Sequence, residues 1–276
     1  MEPFVKSKKE TLLSLEPWES KYANLTAGFT TKKGGVSSPP YESLNLGLHV
    51  NDSAKDVVRN RHIVAEQLSF PLESWVCAEQ VHGTNIQKVT MNDKGKGTQS
   101  YSDGIAKCDG IYTKDPSILL SLCFADCVPL YFIAPNYHCI GLAHAGWRGT
   151  VGNIAGEMIS SFKSEGILES EIFVTIGPSI GECCYIVNDE VIDLVKTVLD
   201  DRAGSAYNEV EKGQYTLNLQ KVNKHLLLQA GIAEENILLS SRCTSCESET
   251  FFSHRRDEGK TGRMFSFIGY KESVNL

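Results

Sequence analysis

The sequence contains no long hydrophobic run and no excess of basic residues. Its longest apolar stretches, around residues 118–124 and 129–134, fall well short of the ~18 apolar residues of a membrane-spanning helix. Asp and Glu outnumber Lys and Arg by 34 to 27, for a net charge of −7, so no positive field attracts nucleic acid or acidic lipid. The charges near the N-terminus are not followed by an apolar segment, so we expect no signal peptide. These features predict a cytoplasmic protein without nucleic-acid or membrane partners.

The sequence also lacks the features of a disulfide-stabilised domain. Its nine cysteines are an odd number in a chain of ordinary size, which favours reduced thiols. Cys243 and Cys246 have the spacing of a zinc knuckle or a redox pair, but no second pair with that spacing accompanies them. Cys183 and Cys184 are adjacent, and we expect neighbouring thiols not to share a metal. Neither pair is therefore predicted to be a functional site.

The pattern of apolar residues predicts a mixed α/β fold. Apolar residues at helical spacing predict helices that begin near Ser53, Thr150, Asn188 and Asn218. Short apolar or β-branched segments predict strands at residues 86–89, 118–124, 130–133, 139–143, 172–176, 237–239 and 264–268. We expect a layered single domain, residues 1–276, with mixed β-sheets flanked by helices. Residues 1–25 are expected to form an irregular lead-in or an edge element.

Three short strings each place one metal-ligating side chain where an apolar run gives way to glycine or polar residues. Two imidazoles and one thiolate are the usual ligand count of a catalytic zinc ion that keeps its fourth position open. The ligands are too far apart in sequence for a zinc knuckle, which favours a catalytic cavity. The strings are Gln80-Val81-His82-Gly83, Ala125-Asp126-Cys127 and His144-Ala145-Gly146-Trp147-Arg148-Gly149.

The strands that precede Cys127 and His144 decide whether these two residues can meet. If strands 118–124 and 139–143 pair antiparallel, their ends point to opposite edges of the sheet. If strand 130–133 runs back between them, they are parallel and both ends reach one edge. Both arrangements remain open, and a lone cysteine or histidine is more often a structural residue than a ligand.

Glycine-flanked Arg148 lies just before the helix predicted to begin near Thr150. A helix N-terminus and a guanidinium group both favour bound anions, so a phosphate ion is expected beside the metal. An equally compatible interpretation is that Trp147 packs in the core and Arg148 forms a salt bridge. The glycine-rich residues 30–35 lack the spacing of a nucleotide-binding P-loop.

Taken together, these strings resemble the laccase-domain family, also described as multicopper polyphenol oxidase-like or purine nucleoside phosphorylase-like proteins. The resemblance covers nearly the whole chain and is most specific in the ADC and HAGWRG strings. It implies a catalytic zinc ion, with copper as an alternative, bound by His82, Cys127 and His144. It also implies phosphorolysis of purine nucleosides (adenosine, inosine, guanosine and methylthioadenosine) and deamination of adenosine, with nucleosides and phosphate as partners.

Further site residues lie within the matching strings. Asp126 is expected to act with Cys127 in catalysis, by orienting a histidine or shuttling a proton. Substrate or phosphate contacts are expected from Asn45, Arg61, Arg148 and Arg255. The sequence departs from the family pattern at Lys32-Lys33, where many members have an arginine, and at His254, where a tyrosine is common.

Three other function classes remain as alternatives. A copper-dependent polyphenol oxidase is disfavoured, because seven histidines without a His-x-His pair do not easily supply a three-copper cluster and a mononuclear site. A metal-free hydrolase would use Cys127 as its nucleophile, activated by His82 or His144. A binding protein without catalytic activity would turn over no nucleoside. Nothing in the sequence indicates an oligomeric state.

Overall fold

Helices and strands are mixed along the chain in this computed structural model, which describes residues 1–199 and 204–272. The strands are β1 Phe4–Lys6, β2 Leu12–Leu15, β3 Leu25–Thr30, β4 Trp75–Cys77, β5 Ile86–Lys88, β6 Gly110–Thr113, β7 Leu119–Phe124, β8 Val128–Ala134, β9 Cys139–Ala145, β10 Phe173–Ile176, β11 Ile186–Asn188, β12 Tyr207–Glu211, β13 Gln214–Leu217, β14 Ile237–Leu239 and β15 Met264–Tyr270. The helices are α1 Glu16–Glu19, α2 Ala54–Leu68, α3 Trp147–Val151, α4 Ile154–Ser164, α5 Asp189–Leu199 and α6 Leu219–Gln229. The mixed α/β prediction is therefore confirmed.

Twelve of these strands form two six-stranded mixed sheets. The first has the order β1-β2-β3-β15-β7-β4, and only its β4–β7 pair is parallel. The second has the order β14-β10-β8-β9-β6-β5, with parallel pairs at both edges and an antiparallel centre. A small antiparallel sheet, β11-β13-β12, lies outside them.

The hydrophobic core shows that the elements are stacked in layers. One buried cluster joins the two large sheets and includes Leu120 of β7 and Ile140 of β9. A second packs the other face of the second sheet against α4, α5 and α6, and a third packs the other face of the first sheet against α2. Side chains that alternate along each strand thus fill different cores, as expected for sheets covered on both faces.

Polar side chains begin the predicted helices. The backbone N–H of Asp56 donates to Ser53 Oγ at 3.4 Å, and that of Lys221 donates to Asn218 Oδ1 at 2.9 Å. The N–H of Val191 donates to Asn188 Oδ1 at 3.4 Å. Side-chain oxygens of this kind satisfy N–H groups left free in a first helical turn. None of the helices in residues 1–199 and 204–272 is both long and apolar enough to cross a membrane.

Two predicted segments differ from the observed elements. The helix expected from Thr150 is two helices, because Gly152 ends α3 and Asn153, in the left-handed conformation with φ 62°, begins α4. Residues 1–25 are not an irregular lead-in: they form β1, β2, α1 and the start of β3, and Phe4 and Trp18 are buried. β1 lies at the edge of the first sheet. All seven predicted strands are present; six have one or both ends shifted, and β14 matches the predicted residues 237–239.

Candidate metal centre

The hairpin of β8 and β9 brings Cys127 and His144 together. Cys127 directly precedes β8, while His144 pairs with Pro129 near the end of β9. The segment 125–127 carries the chain from β7 in the first sheet to β8 in the second. Neither arrangement considered for strands 118–124 and 139–143 occurs, because the two strands belong to different sheets. The two ligands meet as neighbours across a hairpin.

His82 completes a group of three potential metal ligands. The ligand atoms of His82, Cys127 and His144 all lie within 4.8 Å of one another. The His144 side chain is buried, that of Cys127 is half-buried and that of His82 is exposed, so the group is open on the His82 side. One sulfur and two nitrogen ligands suit zinc, and they also suit copper. The residues present therefore fit the metal that the family resemblance implies.

Asp109, which the sequence analysis missed, connects two of these ligands. Its carboxylate is completely buried and lies 2.9 Å from His144 Nδ1. It also accepts the backbone N–H groups of three consecutive residues, Val81, His82 and Gly83, at 2.8–3.1 Å. Asp109 thus leaves Nε2 of His144 for the metal and fixes the loop in which His82 has a φ of 62°. An aspartate before a glycine is an ordinary turn signal, so the sequence gives no sign of this role.

The side chains of Cys127, His144 and Asp109 influence one another's pKa values. Burial by itself would raise the pKa of the Cys127 thiol, but the charges and hydrogen bonds of His144 and His82 outweigh it and lower the pKa to about 6. Burial would lower the pKa of His144, yet Cys127 and Asp109 raise it to about 9. Burial also opposes ionisation of Asp109, while the bond to His144 and the backbone N–H groups keep its pKa below the ordinary value. Without metal, the site favours a thiolate and an imidazolium held by a carboxylate.

The Asp126 carboxylate forms its hydrogen bonds with residues other than the ligands His82 and His144. It accepts hydrogen bonds from Thr244 Oγ1 at 2.6 Å, Ser253 Oγ at 3.0 Å and the N–H of Arg255 at 2.7 Å. Its backbone, at φ 88°, accepts the N–H of Ile180 at 2.9 Å. Asp126 therefore ties separate segments together beside Cys127.

Arg148 follows the ligand His144 by four residues, and Tyr185 lies close enough to Cys127 and Arg148 for their charges to act on it. The exposed Arg148 guanidinium stacks on Trp147 at 4.4 Å, and within the described residues it forms no salt bridge. Tyr185 was not singled out in the sequence. Burial, followed by the charge of Cys127, raises its pKa to about 12. Arg255 covers the Tyr185 ring at 4.8 Å and donates to the carbonyl of Ile186.

Asn45 and Arg61 use their polar groups within the fold. Asn45 Oδ1 accepts the N–H groups of Gly47 and Arg263 at 3.0 and 2.9 Å. The buried Arg61 guanidinium donates only to the backbone carbonyls of Leu46, Gly97 and Thr98. The structure therefore gives both side chains a structural role and brings neither into contact with the three ligands.

Comparison with known proteins identifies the family. Residues 26–271 match the family model described as multi-copper polyphenol oxidoreductase laccase. The chain belongs to this laccase-like family. The resemblance predicted from the ADC and HAGWRG strings is thereby confirmed.

Curated relatives of this laccase-like chain carry a more specific name. It is 53% identical over 252 residues to purine nucleoside phosphorylase YlmD of Geobacillus stearothermophilus, covering 91% of this chain and 92% of that protein. It is 47% identical over 275 residues to purine nucleoside phosphorylase YlmD of Bacillus subtilis, covering 98% of each chain. The crystal structure of the Geobacillus YlmD superposes with a TM-score of 0.95 at 49% identity, covering 99% of this chain and all of that one.

A second group of cysteines converges outside this centre. The sulfur atoms of Cys183, Cys184, Cys243 and Cys246 all lie within 4.8 Å of one another. The sequence contains no second pair with the spacing of Cys243 and Cys246, but in the structure the adjacent residues Cys183 and Cys184 place two further thiols beside that pair. All nine cysteines are free thiols.

Gly146 offers a test of the packing around the ligands. A Cβ atom at this position would lie 3.1 Å from both Cys127 Sγ and His82 Cδ2. Because the backbone of Gly146 (φ −67°) also suits alanine, Gly146→Ala should displace the ligands without straining the chain. We expect roughly a tenfold loss of zinc affinity, measured by competition with a chromogenic chelator. Gly204→Ala, where no atom lies within 4 Å, is the control; equal affinities in both variants would contradict this geometry.

Proposed function

We propose that this chain is a zinc-dependent purine nucleoside phosphorylase that also deaminates adenosine. The observation that carries the proposal is the group of two imidazoles and one thiolate, whose ligand atoms lie within 4.8 Å of one another. The name of relatives that are 53% and 47% identical supports the choice of purine nucleosides. We take adenosine, inosine, guanosine and methylthioadenosine as the substrates.

The ligand group is suited to catalysis rather than to a closed structural site. Three protein ligands leave a fourth position free, and the exposed His82 leaves that position accessible from solvent. Zinc bound there would supply a Lewis acid and lower the pKa of a bound water molecule. Asp109 holds Nδ1 of His144, so the orientation of this ligand is fixed before substrate binds.

Phosphorolysis also requires a place for the phosphate ion. Arg148, whose guanidinium is exposed, is the second residue of α3 and follows the ligand His144 by four positions, and a guanidinium binds two phosphate oxygens at once. A phosphate oxygen then forms the bond to C1′ while the bond from C1′ to the purine nitrogen breaks. The purine leaves with the bonding electron pair and takes up a proton. Arg148 contributes by positioning the phosphate for this displacement.

Incubation of the zinc-loaded protein with adenosine tests the proposal. We expect adenine and ribose 1-phosphate to form only when phosphate is present, and inosine to form without phosphate; chromatography separates these products. Removal of zinc by a chelator should abolish both reactions, and added zinc should restore them. Absence of turnover of all four nucleosides by metal-replete protein would favour a binding function instead.

Replacement of Arg148 by glutamine should weaken phosphate binding selectively. A charge-assisted hydrogen bond is worth about 1.5–3 kcal/mol, and partial exposure reduces this, so the KM for phosphate should rise roughly tenfold. Phosphate-independent formation of inosine should stay close to the wild-type rate. Arg59→Gln removes an equivalent exposed charge from α2 and should change neither the KM for phosphate nor the rate of inosine formation. A normal phosphate KM in Arg148→Gln would exclude this residue from the phosphate site.

A second candidate function is a metal-free thiol hydrolase. It is favoured by one observation: Asp109, His144 and Cys127 are linked in the order of a carboxylate, an imidazole and an activated thiol. The chelator experiment separates the two functions, because a thiol hydrolase retains its activity without metal and loses it on alkylation of Cys127.

A further inference from the structure

We propose that this chain binds a second zinc ion as a structural clip, through four cysteine thiolates: Cys183, Cys184, Cys243 and Cys246. These residues lie in two loops far apart in sequence, and none of them belongs to the candidate metal centre. The proposal does not depend on the proposed nucleoside chemistry.

The distances between the sulfur atoms are those of a tetrahedral zinc site. Cys246 Sγ lies 3.5 Å from Cys183 Sγ and 3.4 Å from Cys184 Sγ, and the sulfurs of Cys183 and Cys243 are 3.7 Å apart. A zinc–sulfur bond of about 2.3 Å in tetrahedral geometry places the sulfurs about 3.8 Å apart. A disulfide instead requires about 2.05 Å. Four sulfurs at these separations therefore surround a volume that suits one zinc ion.

The backbone around the cysteines is already folded into two tight turns. The N–H of Cys184 donates to the carbonyl of Gly181 at 3.0 Å, and the N–H of Glu247 donates to that of Cys243 at 3.0 Å. The N–H of Gly181 also donates to Cys243 Sγ at 3.2 Å. An N–H directed at sulfur stabilises a thiolate and orients it as a ligand. The turn containing Cys183 and Cys184 also explains how adjacent residues face one centre.

A fixed second turn and solvent exposure also suit a metal site with four thiolates. Arg256 Nη1 donates to the carbonyls of Thr244 and Ser245, between the two cysteines of the second turn, at 3.1 and 3.2 Å. These two bonds hold the second turn in place, while the guanidinium charge itself is paired with the Asp257 carboxylate at 2.7 Å. Cys183 and Cys246 are exposed, which gives the ion a path from solvent.

The clip joins two loops that border the candidate metal centre. Tyr185, close to Cys127, directly follows Cys184, and Thr244, bonded to Asp126 at 2.6 Å, directly follows Cys243. A bridge between Ser179 and Cys243 is the backbone link between the same loops. Zinc in the clip would therefore fix the positions of Tyr185 and Thr244 without taking part in the reaction.

X-ray absorption at the zinc edge of the zinc-loaded Cys127→Ala chain tests the proposal. This substitution removes a ligand of the first centre, so the remaining ion, about one per chain, should have four sulfur ligands at about 2.3 Å. Introducing Cys183→Ser and Cys246→Ser as well should remove this ion, whereas introducing Cys139→Ala, in β9 outside both groups, should not. Chelation should also lower the melting temperature of Cys127→Ala and leave that of the triple variant unchanged.

Three results would overturn the proposal. The first is a Cys127→Ala chain that binds no zinc under zinc-replete conditions; the second is a bound ion with nitrogen or oxygen ligands. The third is a disulfide among the four cysteines in protein purified anaerobically under reducing conditions, detected as a mass 2 Da lower per bond. The absorption measurement leaves the four cysteines intact, so it remains decisive even if the serine variants fold poorly.

Discussion

Cys127→Ala is expected to lose the zinc ion of the candidate metal centre and to reduce phosphorolysis and deamination to background. The thiolate is one of three protein ligands, and two imidazoles alone do not complete the site. The loss should exceed the 10–100-fold effect that is typical of removing a residue that only orients a ligand. Zinc content and product formation from adenosine measure the two effects in the same preparation.

The control for Cys127→Ala is Cys139→Ala, which removes a buried thiol from the opposite end of the β8–β9 hairpin. It should retain both zinc and activity. The zinc content of Cys127→Ala should be lower than that of the wild type by about one ion per chain, whether or not the cysteine clip is occupied. A Cys127→Ala protein with undiminished zinc and activity would show that the site is wrongly assigned.

Much of the fold could be predicted because local patterns agree with tertiary structure. The side chains of Ser53, Asn188 and Asn218 cap the helices predicted from them. Strands with continuous apolar runs, such as β7 and β8, are buried on both faces, which produces the pattern itself. Strand β4 is not predicted, because its three residues are too few to show a periodic pattern of apolar side chains.

The arrangement of the sheets could not be predicted from the same patterns. Buried runs show that a strand is covered, but they do not specify its neighbour. The sequence order suggested that strands 118–124, 130–133 and 139–143 share one sheet. In the structure, segment 125–127 crosses between two sheets, so β7 pairs with β15 from the end of the described chain.

Local sequence patterns also predict only part of the candidate site. His82, Cys127 and His144 could be found because each follows an apolar run and carries chemistry of its own. Asp109 could not, because its role depends on four hydrogen bonds to residues 26–35 positions away. Gln80 is similar: its amide pairs with both backbone groups of Cys123 and fixes the start of the His82 loop.

The cysteine group illustrates how spacing rules can mislead. The spacing of Cys243 and Cys246 predicts a partner pair with the same spacing, whereas the second pair is formed by adjacent residues in a different turn. The relevant quantity is the separation of sulfur atoms after folding, which no sequence spacing fixes.

Asp109→Asn is expected to lower zinc affinity and activity about 10–100-fold, the usual cost of removing a residue that orients a metal ligand. One carboxylate oxygen accepts from His144 Nδ1 and the N–H of His82, and the other accepts from the N–H groups of Val81 and Gly83. An asparagine must direct its amide NH2 at one of these two pairs of donors. Since the position is fully buried, no water can accept these hydrogen atoms instead. The free energy of unfolding should therefore fall by about 1–3 kcal/mol.

The competing explanation, a general loss of folding, predicts a different response to zinc. If Asp109 acts by positioning His82 and His144, excess zinc should restore much of the activity of Asp109→Asn, because the ligands are displaced and not removed. A merely destabilised protein, measured well below its melting temperature, would instead bind zinc with the affinity of the wild type. Asp115→Asn is the matched control, since that half-buried carboxylate accepts a single backbone N–H, from Met91 at 2.9 Å. If Asp109→Asn bound zinc with the affinity of the wild type, the Asp109 carboxylate would have no role in the metal centre. The orientation of His144 would then be fixed by the β8–β9 hairpin alone.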